Sequence, residues 1–331
     1  MSLQDESEGL VCIGVLGCGK HSNSQHGPAL RHYKSMHSET VELVAVCDLD
    51  ADRAAAYARE FGFRRAYSDF REMLSTETLD GLVVVSAIEA TRAIVGELLP
   101  FGVPLLVEKP PGKNSREGRE LVEIARQCGT PAMVSMNRRF NPAVVMAAEW
   151  MAENAPEDRA RQVIARMLRS ERREPEFIVA TGIHLVDTAL SFLGRPRTVS
   201  SARWRGEDGG ENCAATISTS CKDRALVVMA PNSGRTAETV EICGAGYSIR
   251  VDVTTCGMAV WQEDEVSHRW QAPEDMPGYV KGGSLGEVKA FVGAIMGKRN
   301  LAPDLETALV SVEVSEAIES GGERSFEAQP I

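Results

Sequence analysis

The sequence predicts an α/β chain: a doubly wound parallel sheet in the first part and an α+β domain with a large, open, mainly antiparallel sheet in the second. Up to residue 136, short apolar runs alternate with helical segments, a pattern typical of parallel strands joined by right-handed crossovers. Between residues 198 and 261, strand-like runs follow one another with only turn residues between them. We therefore expect one domain at residues 10–136 and a second at residues 137–331, whose last helices can pack back on the first.

In the first part, the helical segments begin and end at residues that suit those positions. Pro28 suits the first position of one helix, and Ser115 suits the N-cap of another. Gly62, Gly102 and Gly129 stand where three of the helices stop. Strands are predicted at residues 11–16, 41–47, 80–86, 103–107 and 132–136. Helices are predicted at residues 28–36, 50–61, 90–101 and 115–128.

The second part begins with a helix, a strand and a helix, and it continues as a run of strands. A helix is predicted at residues 142–154, a strand at residues 162–169, and a helix that carries His184 and ends at Gly194. Further strands are predicted at residues 213–220, 225–229, 239–243 and 248–253, and closing helices at residues 284–295 and 304–318. The regular spacing of the strands is what predicts the antiparallel sheet.

Composition argues against several classes of protein. The chain has 331 residues and a formal net charge of -11, so we expect no nucleic-acid partner. It has no run of about 18 apolar residues, so we expect no membrane span, and its polar N-terminus lacks the features of a secretory signal. None of the eight cysteines forms a C-x-x-C pair, which favours small buried thiols in a reducing, cytoplasmic compartment, with neither disulfides nor a metal site.

A glycine-rich loop follows the first predicted strand. Gly17 and Gly19 occupy two positions of the G-x-G-x-x-G fingerprint, in which the first glycine makes a tight turn and the second lets the backbone approach a pyrophosphate. The third position is Ser22. The polar stretch that continues to Pro28 is either a lengthened loop that touches cofactor or substrate, or an irregular helix start. The loop residues expected to bind a dinucleotide are Gly17, Cys18, Gly19, Lys20 and His21.

The residue that ends the next strand indicates which dinucleotide is preferred. Asp48 can accept hydrogen bonds from the adenosine ribose, which favours NAD over NADP. A 2'-phosphate there would meet a like charge, with no basic residue at Leu49 or Asp50. We expect NAD, with NADP as the alternative.

Glu108, Lys109 and Pro110 follow the apolar run at residues 103–107. A lysine at the carboxyl end of a parallel strand lies where open α/β sheets bind their ligands. Downstream, His184 and a carboxylate three residues later share one helix face. An imidazole titrates near neutrality and can take a proton from a hydroxyl as hydride leaves. These features suggest a nicotinamide-dependent oxidoreductase.

With these motifs the chain resembles the Gfo/Idh/MocA family, named for glucose-fructose oxidoreductase, inositol dehydrogenase and a rhizopine-catabolism protein. The segments that carry the resemblance are VCIGVLGCGK, VELVAVCDLD, LLVEKPPGKN, MNRRFNP and TGIHLVDTALSFLG. The resemblance implies a Rossmann NAD(P)-binding domain, followed by a domain whose open sheet forms subunit interfaces in a homodimer or homotetramer. It also implies hydride transfer between nicotinamide and a carbon of a sugar, sugar acid, polyol or cyclitol.

The resemblance also assigns roles to individual residues. Lys109 matches the family's lysine and is expected to polarise and position the substrate, whereas His184 matches the family's histidine and is expected to transfer the proton. Glu108 and Ser86 are expected at the cofactor. Asp187 is expected to orient His184 or to bind substrate. Arg138 is expected on the substrate side by its position in the family. Independently of the resemblance, Tyr279 is expected there because it precedes the Gly282-Gly283 loop.

The chain departs from the family's pattern just before His184. Many dehydrogenases of this type carry an aspartate four residues earlier, and this chain has Ala180 there. Three interpretations stay open: catalysis by Lys109 and His184 alone, an unusual substrate, or loss of dehydrogenase activity. The alternatives to a dehydrogenase are a dinucleotide-binding regulator or scaffold, and an elimination or hydrolysis assisted by tightly held NAD.

A basic stretch precedes the same helix. Guanidinium groups suit carboxylates, so the stretch either binds an acidic sugar or forms a solvated basic face. Its members are Arg166, Arg169, Arg172 and Arg173.

Overall fold

The computed structural model describes residues 10–155, 160–172, 176–206, 210–298 and 300–326. Within these residues the chain divides into two compact units. The first unit comprises residues 10–113, 117–135 and 284–305, and the second comprises residues 114–116, 136–283 and 306–326. Each unit has its own sheet, and the two sheets confirm the predicted fold class.

The strands of the described residues are β1 Val11–Leu16, β2 Val41–Cys47, β3 Arg65–Tyr67, β4 Gly81–Val84, β5 Leu105–Glu108, β6 Ala132–Ser135, β7 Gln162–Leu168, β8 Pro196–Arg205, β9 Glu211–Thr219, β10 Arg224–Ala230, β11 Ala237–Cys243, β12 Ser248–Asp252, β13 Gly257–Gln262, β14 Glu265–Gln271 and β15 Gly322–Ser325. The α-helices are α1 Lys20–Ser24, α2 His26–Met36, α3 Ala51–Phe61, α4 Phe70–Thr76, α5 Ile88–Leu98, α6 Ser115–Cys128, α7 Pro142–Asn154, α8 Ile183–Leu193, α9 Gly278–Lys281, α10 Ser284–Ile295 and α11 Leu305–Ser320. A π-helical turn, Ile178–Gly182, leads into α8, and single 3-10 turns occur at Leu99–Phe101 and Asn137–Phe140.

The first unit is built on a six-stranded parallel sheet in the order β3-β2-β1-β4-β5-β6. Its central strands are apolar and buried on both faces, because helices cover both sides of such a sheet. The order reverses between β1 and β4, which is where doubly wound sheets bind ligands, at the carboxyl ends of the strands. Helix α10 belongs to this unit and lies directly on β4: a Cβ at Gly81 would come within 2.6 Å of Ile295 and 2.9 Å of Phe291.

The second unit is built on a nine-stranded sheet in the order β14-β13-β12-β11-β7-β10-β9-β8-β15. Its pairings are antiparallel except for β7 with β10, which is parallel. Buried and more exposed residues alternate along β10 and β11, since one face of the sheet is packed on helices. Helix α8 packs on β7 and β10, and α7 packs on β12 and β13.

Several elements differ from the sequence prediction for local reasons. The strand predicted at residues 80–86 ends at Val84, because the chain turns there into α5. The polar stretch after the glycine loop is helical, so the irregular helix start is the correct alternative, and α2 begins at His26 rather than Pro28. Strands β3, β8, β13, β14 and β15 have no counterpart among the individually predicted strands. Strand β3 is three residues long, and β14 and β15 are largely exposed, so none of these three shows a buried period of two.

Two expectations from composition can be compared with the structure. No helix among the described residues is both long and apolar enough to cross a lipid bilayer. All eight cysteines are free thiols, but Cys128 and Cys221 are exposed. The prediction of buried thiols is therefore wrong for these two.

Candidate functional site

The glycine loop joins β1 to α1 at the carboxyl edge of the parallel sheet. Gly17 has a φ of 97°, and a Cβ there would lie 1.9 Å from the carbonyl oxygen of Val85, so only glycine fits this turn. Gly19 is the N-cap of α1, and a Cβ there would meet nothing within 4 Å. Lys20 is the first residue of α1 and is exposed. The open space beside Gly19 lets a ligand approach the backbone, and the loop therefore fits a pyrophosphate.

Ser22 stands where the fingerprint has its third glycine. Its side chain is buried, and its Oγ donates a hydrogen bond of 2.9 Å to Tyr57 Oη. This bond ties α1 to α3 at the position where glycine would allow close packing. The serine that replaces the third glycine of the fingerprint is therefore buried and has a packing role.

Asp48 directly follows β2 and is hydrogen-bonded to the backbone of the glycine loop. Its Oδ2 accepts a hydrogen bond of 2.8 Å from the backbone N of Cys18, and its Oδ1 accepts one of 3.2 Å from Arg53 Nη1. The same guanidinium donates to Asp50 Oδ2 at 3.1 Å. The sequence prediction considers only Leu49 and Asp50 as neighbours and misses Arg53. The signal that identifies it is its place in the first turn of α3, three residues after the N-cap Asp50.

Glu108, the last residue of β5, is the centre of a buried polar cluster. Its Oε1 lies 2.7 Å from His26 Nε2, 3.0 Å from His21 Nε2 and 3.1 Å from Ser135 Oγ. Its Oε2 accepts a hydrogen bond of 3.2 Å from the backbone N of Lys109. Burial raises the pKa of the Glu108 carboxyl, but the hydrogen bonds from His21 and His26 outweigh burial and hold it well below its usual value. Glu108 is therefore an ionised acceptor.

A second carboxyl, Glu287 of α10, contacts the same cluster and favours the opposite protonation state. Its Oε2 lies 2.9 Å from Ser135 Oγ, and its Oε1 has no hydrogen-bond partner among the described residues. Burial and then the charge of Glu108 raise the pKa of Glu287 well above its usual value. A protonated Glu287 Oε2 can donate a hydrogen bond to Ser135 Oγ, and the Ser135 hydroxyl then donates its single hydrogen bond to Glu108 Oε1. We refer to these five residues, His21, His26, Glu108, Ser135 and Glu287, as the carboxyl cluster.

Part of the carboxyl cluster has the chemistry of a metal site. One donor atom each from His21, His26 and Glu108 lies within 4.8 Å of the other two. A cation would have to replace the hydrogen bonds that both imidazoles make to Glu108. Because those hydrogen bonds already satisfy the carboxylate, we assign no metal to these residues.

The predicted cofactor residues of the first unit lie along one edge of its sheet, because its neighbouring parallel strands end there. They are Gly17 after β1, Asp48 after β2, Ser86 after β4, and Glu108 and Lys109 at the end of β5. The Oγ of Ser86 lies 2.9 Å from Thr91 Oγ1, at the start of α5. Lys109 is the first residue after β5, and its peptide bond to Pro110 is cis. The catalytic role of Lys109 stays a prediction.

In the second unit, His184 and Asp187 lie on α8, just after the π-helical turn that contains Ala180. Both are buried, and Asp187 completely so. The Oδ2 and Oδ1 of Asp187 accept hydrogen bonds of 2.7 and 2.8 Å from Arg139 Nε and Nη2, and Oδ1 also accepts one of 2.9 Å from Ser311 Oγ. Asp187 thus holds Arg139 in place. The expectation that Asp187 orients His184 or binds substrate stays a prediction. Either contact would use carboxylate oxygens that already accept hydrogen bonds from Arg139 and Ser311.

Arg138 and Arg169 both contact Glu238. Arg169 Nη2 donates to Glu238 Oε2, and Arg138 Nε lies 3.4 Å from Oε1. Arg169 is 9% exposed and Glu238 is 2% exposed, so Arg169 is not part of a solvated basic face. Arg173 lies outside the described residues. Tyr279, on α9, is partly exposed, and its substrate contact stays a prediction.

Comparison with known proteins gives matches to dehydrogenases. Residues 11–136 match the model of an oxidoreductase family with an NAD-binding Rossmann fold. The D-apiose dehydrogenase of Paraburkholderia graminis is 26% identical over 254 residues, which cover 72% of this chain and 66% of that protein. The inositol 2-dehydrogenase of Rubrobacter xylanophilus is 26% identical over 253 residues, which cover 73% of this chain and 68% of that protein. The chain thus spans about two thirds of the length of these relatives.

Solved structures share the fold over almost the whole chain. A dehydrogenase from Chromobacterium violaceum matches with a TM-score of 0.83 and 22% identity, covering 94% of this chain and 95% of that one. Levoglucosan dehydrogenase, solved in complex with NADH, matches with a TM-score of 0.79 and 17% identity, covering 94% and 96%. The glycine loop, the Glu108-Lys109 strand end and these matches lead to one conclusion: residues 11–136 match the NAD-binding Rossmann part of the Gfo/Idh/MocA oxidoreductase family, and the chain is similar to dehydrogenases over most of its length.

Proposed function

We propose that the protein is an NAD-dependent dehydrogenase that acts on a CH–OH carbon of a sugar, sugar acid, polyol or cyclitol. The observation that carries the proposal is the end of β5, where the buried Glu108 is hydrogen-bonded to His21, His26 and Ser135 and is followed directly by Lys109. This strand end lies on the sheet edge that also holds the glycine loop and Asp48. The relatives named D-apiose dehydrogenase and inositol 2-dehydrogenase support the substrate class.

In this proposal, Lys109 and His184 carry out the chemistry. The ammonium of Lys109 hydrogen-bonds the substrate hydroxyl and stabilises the negative charge that develops on its oxygen. His184 accepts the hydroxyl proton, and the carbon gives up its hydrogen as hydride, so the alcohol becomes a carbonyl. When bound, NAD supplies the hydride acceptor. In the reverse direction, His184 returns the proton to the carbonyl oxygen.

The carboxyl cluster positions the strand end at which Lys109 lies. Glu108 Oε2 accepts the backbone N–H of Lys109, and its Oε1 is held by side chains from α1, α2 and β6. Hydrogen bonds to an ionised acceptor are about twice as strong as neutral ones. The cluster therefore fixes the backbone at Lys109 before any ligand binds.

The same edge of the sheet favours NAD over NADP. Asp48 and Asp50 both pair with Arg53, so two carboxylates surround one guanidinium and the net charge beside the ribose position is negative. A 2'-phosphate would add a further negative charge there. The positive charge of Arg53 weakens the expected preference for NAD over NADP but does not reverse it.

Ala180 favours one second candidate, a dinucleotide-binding protein without turnover. The side chain of an alanine has no group that can hydrogen-bond an imidazole, and Ala180 lies in the π-helical turn just before α8. If His184 needs a carboxylate from that position, the chain binds NAD and transfers no hydride.

The experiment that separates these candidates measures NADH formation with a panel of sugars, sugar acids, polyols and cyclitols. We expect turnover on at least one substrate, and we expect Lys109→Met to lower it at least about tenfold. Lys113→Met is the matched control, because Lys113 is exposed in the same loop, 4.0 Å from Glu117 Oε1. NADH binding without turnover on any substrate would establish the second candidate instead.

A further inference from the structure

A cavity of about 300 Å³ lies within the second unit, between the ends of β7 and β12, the start of β11, and α9. Its size is at the lower end of the range for pockets that bind small molecules. Polar and charged residues provide much of its lining: Arg138, Arg169, Thr236, Glu238, Thr254 and Lys281.

The charges around this cavity are unbalanced. Three lining residues, Arg138, Arg169 and Lys281, are cationic, and Glu238 is the one carboxylate among the lining residues. Both oxygens of Glu238 are used by the two guanidinium groups, so this carboxylate holds the arginines in place and neutralises one of them. Lys281 Nζ donates a hydrogen bond of 3.0 Å to the backbone oxygen of Glu274. Because that oxygen is neutral, this contact does not compensate the positive charge of Lys281.

The two arginines also keep donors for a ligand. Arg138 uses Nε toward Glu238 and Nη1 toward Asn137 Oδ1, and Arg169 uses Nη2 toward Glu238 and Nη1 toward the backbone oxygen of Leu168. None of these four contacts uses Arg138 Nη2 or Arg169 Nε. Guanidinium N–H groups in a largely buried setting are matched best by the oxygens of an anion.

The cavity is connected to the helix that carries His184. The residue after Arg138 is Arg139, which donates two hydrogen bonds of 2.7 and 2.8 Å to Asp187. Asp187 lies about one turn after His184 on α8. Helix α8 also packs on β7, the strand that ends beside Arg169. The cationic cavity and the proposed proton acceptor are thus positioned by the same packed elements.

We infer that this cavity binds the carboxylate of a sugar acid, so that an aldonate or uronate, rather than a neutral sugar or polyol, is the preferred substrate. The inference rests on the proposed function for its substrate role, and it names the substrate class within that function. Arg138 and Arg169 bind the carboxylate oxygens, Lys281 adds long-range attraction, and Glu238 keeps the two guanidinium groups in register.

The test compares ligands that share a carbon skeleton and differ in one group. Calorimetric titration of the full chain uses D-gluconate against D-glucitol, D-galactonate against D-galactitol, and D-xylonate against D-xylitol, with and without NADH. We expect at least one acid to bind about tenfold or more tightly than its polyol, in keeping with charge-assisted hydrogen bonds. D-glucose 6-phosphate is included because a phosphate offers the same anionic oxygens.

Two variants connect the preference to the cavity. Arg138→Gln removes one donor, and Arg169→Gln combined with Glu238→Gln removes the second guanidinium without leaving a buried carboxylate unpaired. Each should bring the affinity for the acid to within about twofold of the affinity for its polyol. Arg166→Gln is the control, because Arg166 lies on β7 and does not line the cavity. This control variant should still bind the acid about tenfold or more tightly than its polyol.

The outcomes distinguish the inference from the proposed function. Equal binding of acids and polyols, tighter binding of the sugar phosphate, or a preference that survives both variants would overturn the inference, whether or not NADH is formed. Selective binding of an acid without NADH formation would leave the cavity assigned and would overturn the proposed dehydrogenase.

Discussion

His26 Nε2 lies 2.7 Å from Glu108 Oε1, and both side chains are buried. This pair connects α2 to the end of β5, 82 residues further along the chain. With His21 it keeps a carboxylate ionised directly before Lys109. The strand end that we propose to be catalytic therefore depends on a histidine that need not touch substrate.

His26→Leu should destabilise the protein by about 1–3 kcal/mol, the cost of leaving a buried charged acceptor short of one donor. Because the pKa of Glu108 is lowered in the folded state, its contribution to stability is present above its ordinary pKa and is lost as pH falls through the folded value. In the variant this loss should begin at a higher pH. Urea unfolding between pH 3 and pH 8 measures both effects. His268→Leu, on the exposed strand β14, should change neither, and equal curves for His26→Leu and wild type would contradict the assignment.

Glu287→Gln should stabilise the protein increasingly as pH rises. The pKa of Glu287 is raised in the folded state, so the stability linked to its protonated form is fully present below its ordinary pKa and is lost as pH rises through the folded value. Glutamine keeps a donor for Ser135 and cannot ionise. Thermal unfolding should give similar Tm values for variant and wild type at pH 4 and a higher Tm for the variant at pH 8. Glu153→Gln, an exposed position on α7, is the control. A difference in Tm that does not depend on pH would show that Glu287 is not the titrating group.

The architecture could be predicted from the sequence wherever burial leaves a periodic pattern. The buried strands β1, β2 and β4 to β6 and the capped helices follow from apolar runs and end residues, and the turn at Gly17 follows from its place after β1. Strand β3 could not be predicted, because three largely exposed residues show no pattern and pair only once β2 is in place.

The candidate site could be predicted only in its local parts. Asp48 and Lys109 follow from their places after apolar strands. The bidentate contact between Arg139 and Asp187 joins residues that are 48 positions apart in the sequence. The hydrogen bond between the Ser135 and Glu287 side chains joins residues that are 152 positions apart. Such contacts are set by tertiary packing, which no local pattern shows. Glu287 had one local signal: it shares an otherwise apolar helix face with residues that are buried.

The preference for NAD should depend on Asp48 and Arg53 in opposite directions. Asp48→Asn keeps an acceptor for the backbone N of Cys18 but removes a charge, so the ratio of the NADPH Kd to the NADH Kd should fall about tenfold. Arg53→Gln should raise that ratio, since it removes the cation beside the ribose position. Fluorescence titration with NADH and NADPH measures the ratio. Arg59→Gln, exposed later on α3, should leave it unchanged. Equal ratios in all four proteins would place the adenosine ribose elsewhere.

His184→Asn should lower turnover at least about tenfold and leave the Kd for NADH unchanged, because the imidazole is proposed to move a proton and not to hold the cofactor. His268→Asn, on the same unit, should retain full turnover. Steady-state rates and NADH titration on the same preparations separate the two effects. A rate for His184→Asn equal to that of wild type would remove His184 from the proposed chemistry.

The most direct test of the proposed reaction follows the hydrogen that leaves the substrate carbon. A substrate from the active panel is labelled with deuterium at its CH–OH carbon and turned over with NAD, and the recovered NADH is measured by mass spectrometry. We predict that each NADH formed carries one deuterium and that the product is the carbonyl compound. Deuterium released to water, with product formed but no net NADH, would contradict hydride transfer to the cofactor as the overall reaction and would favour an elimination or hydrolysis.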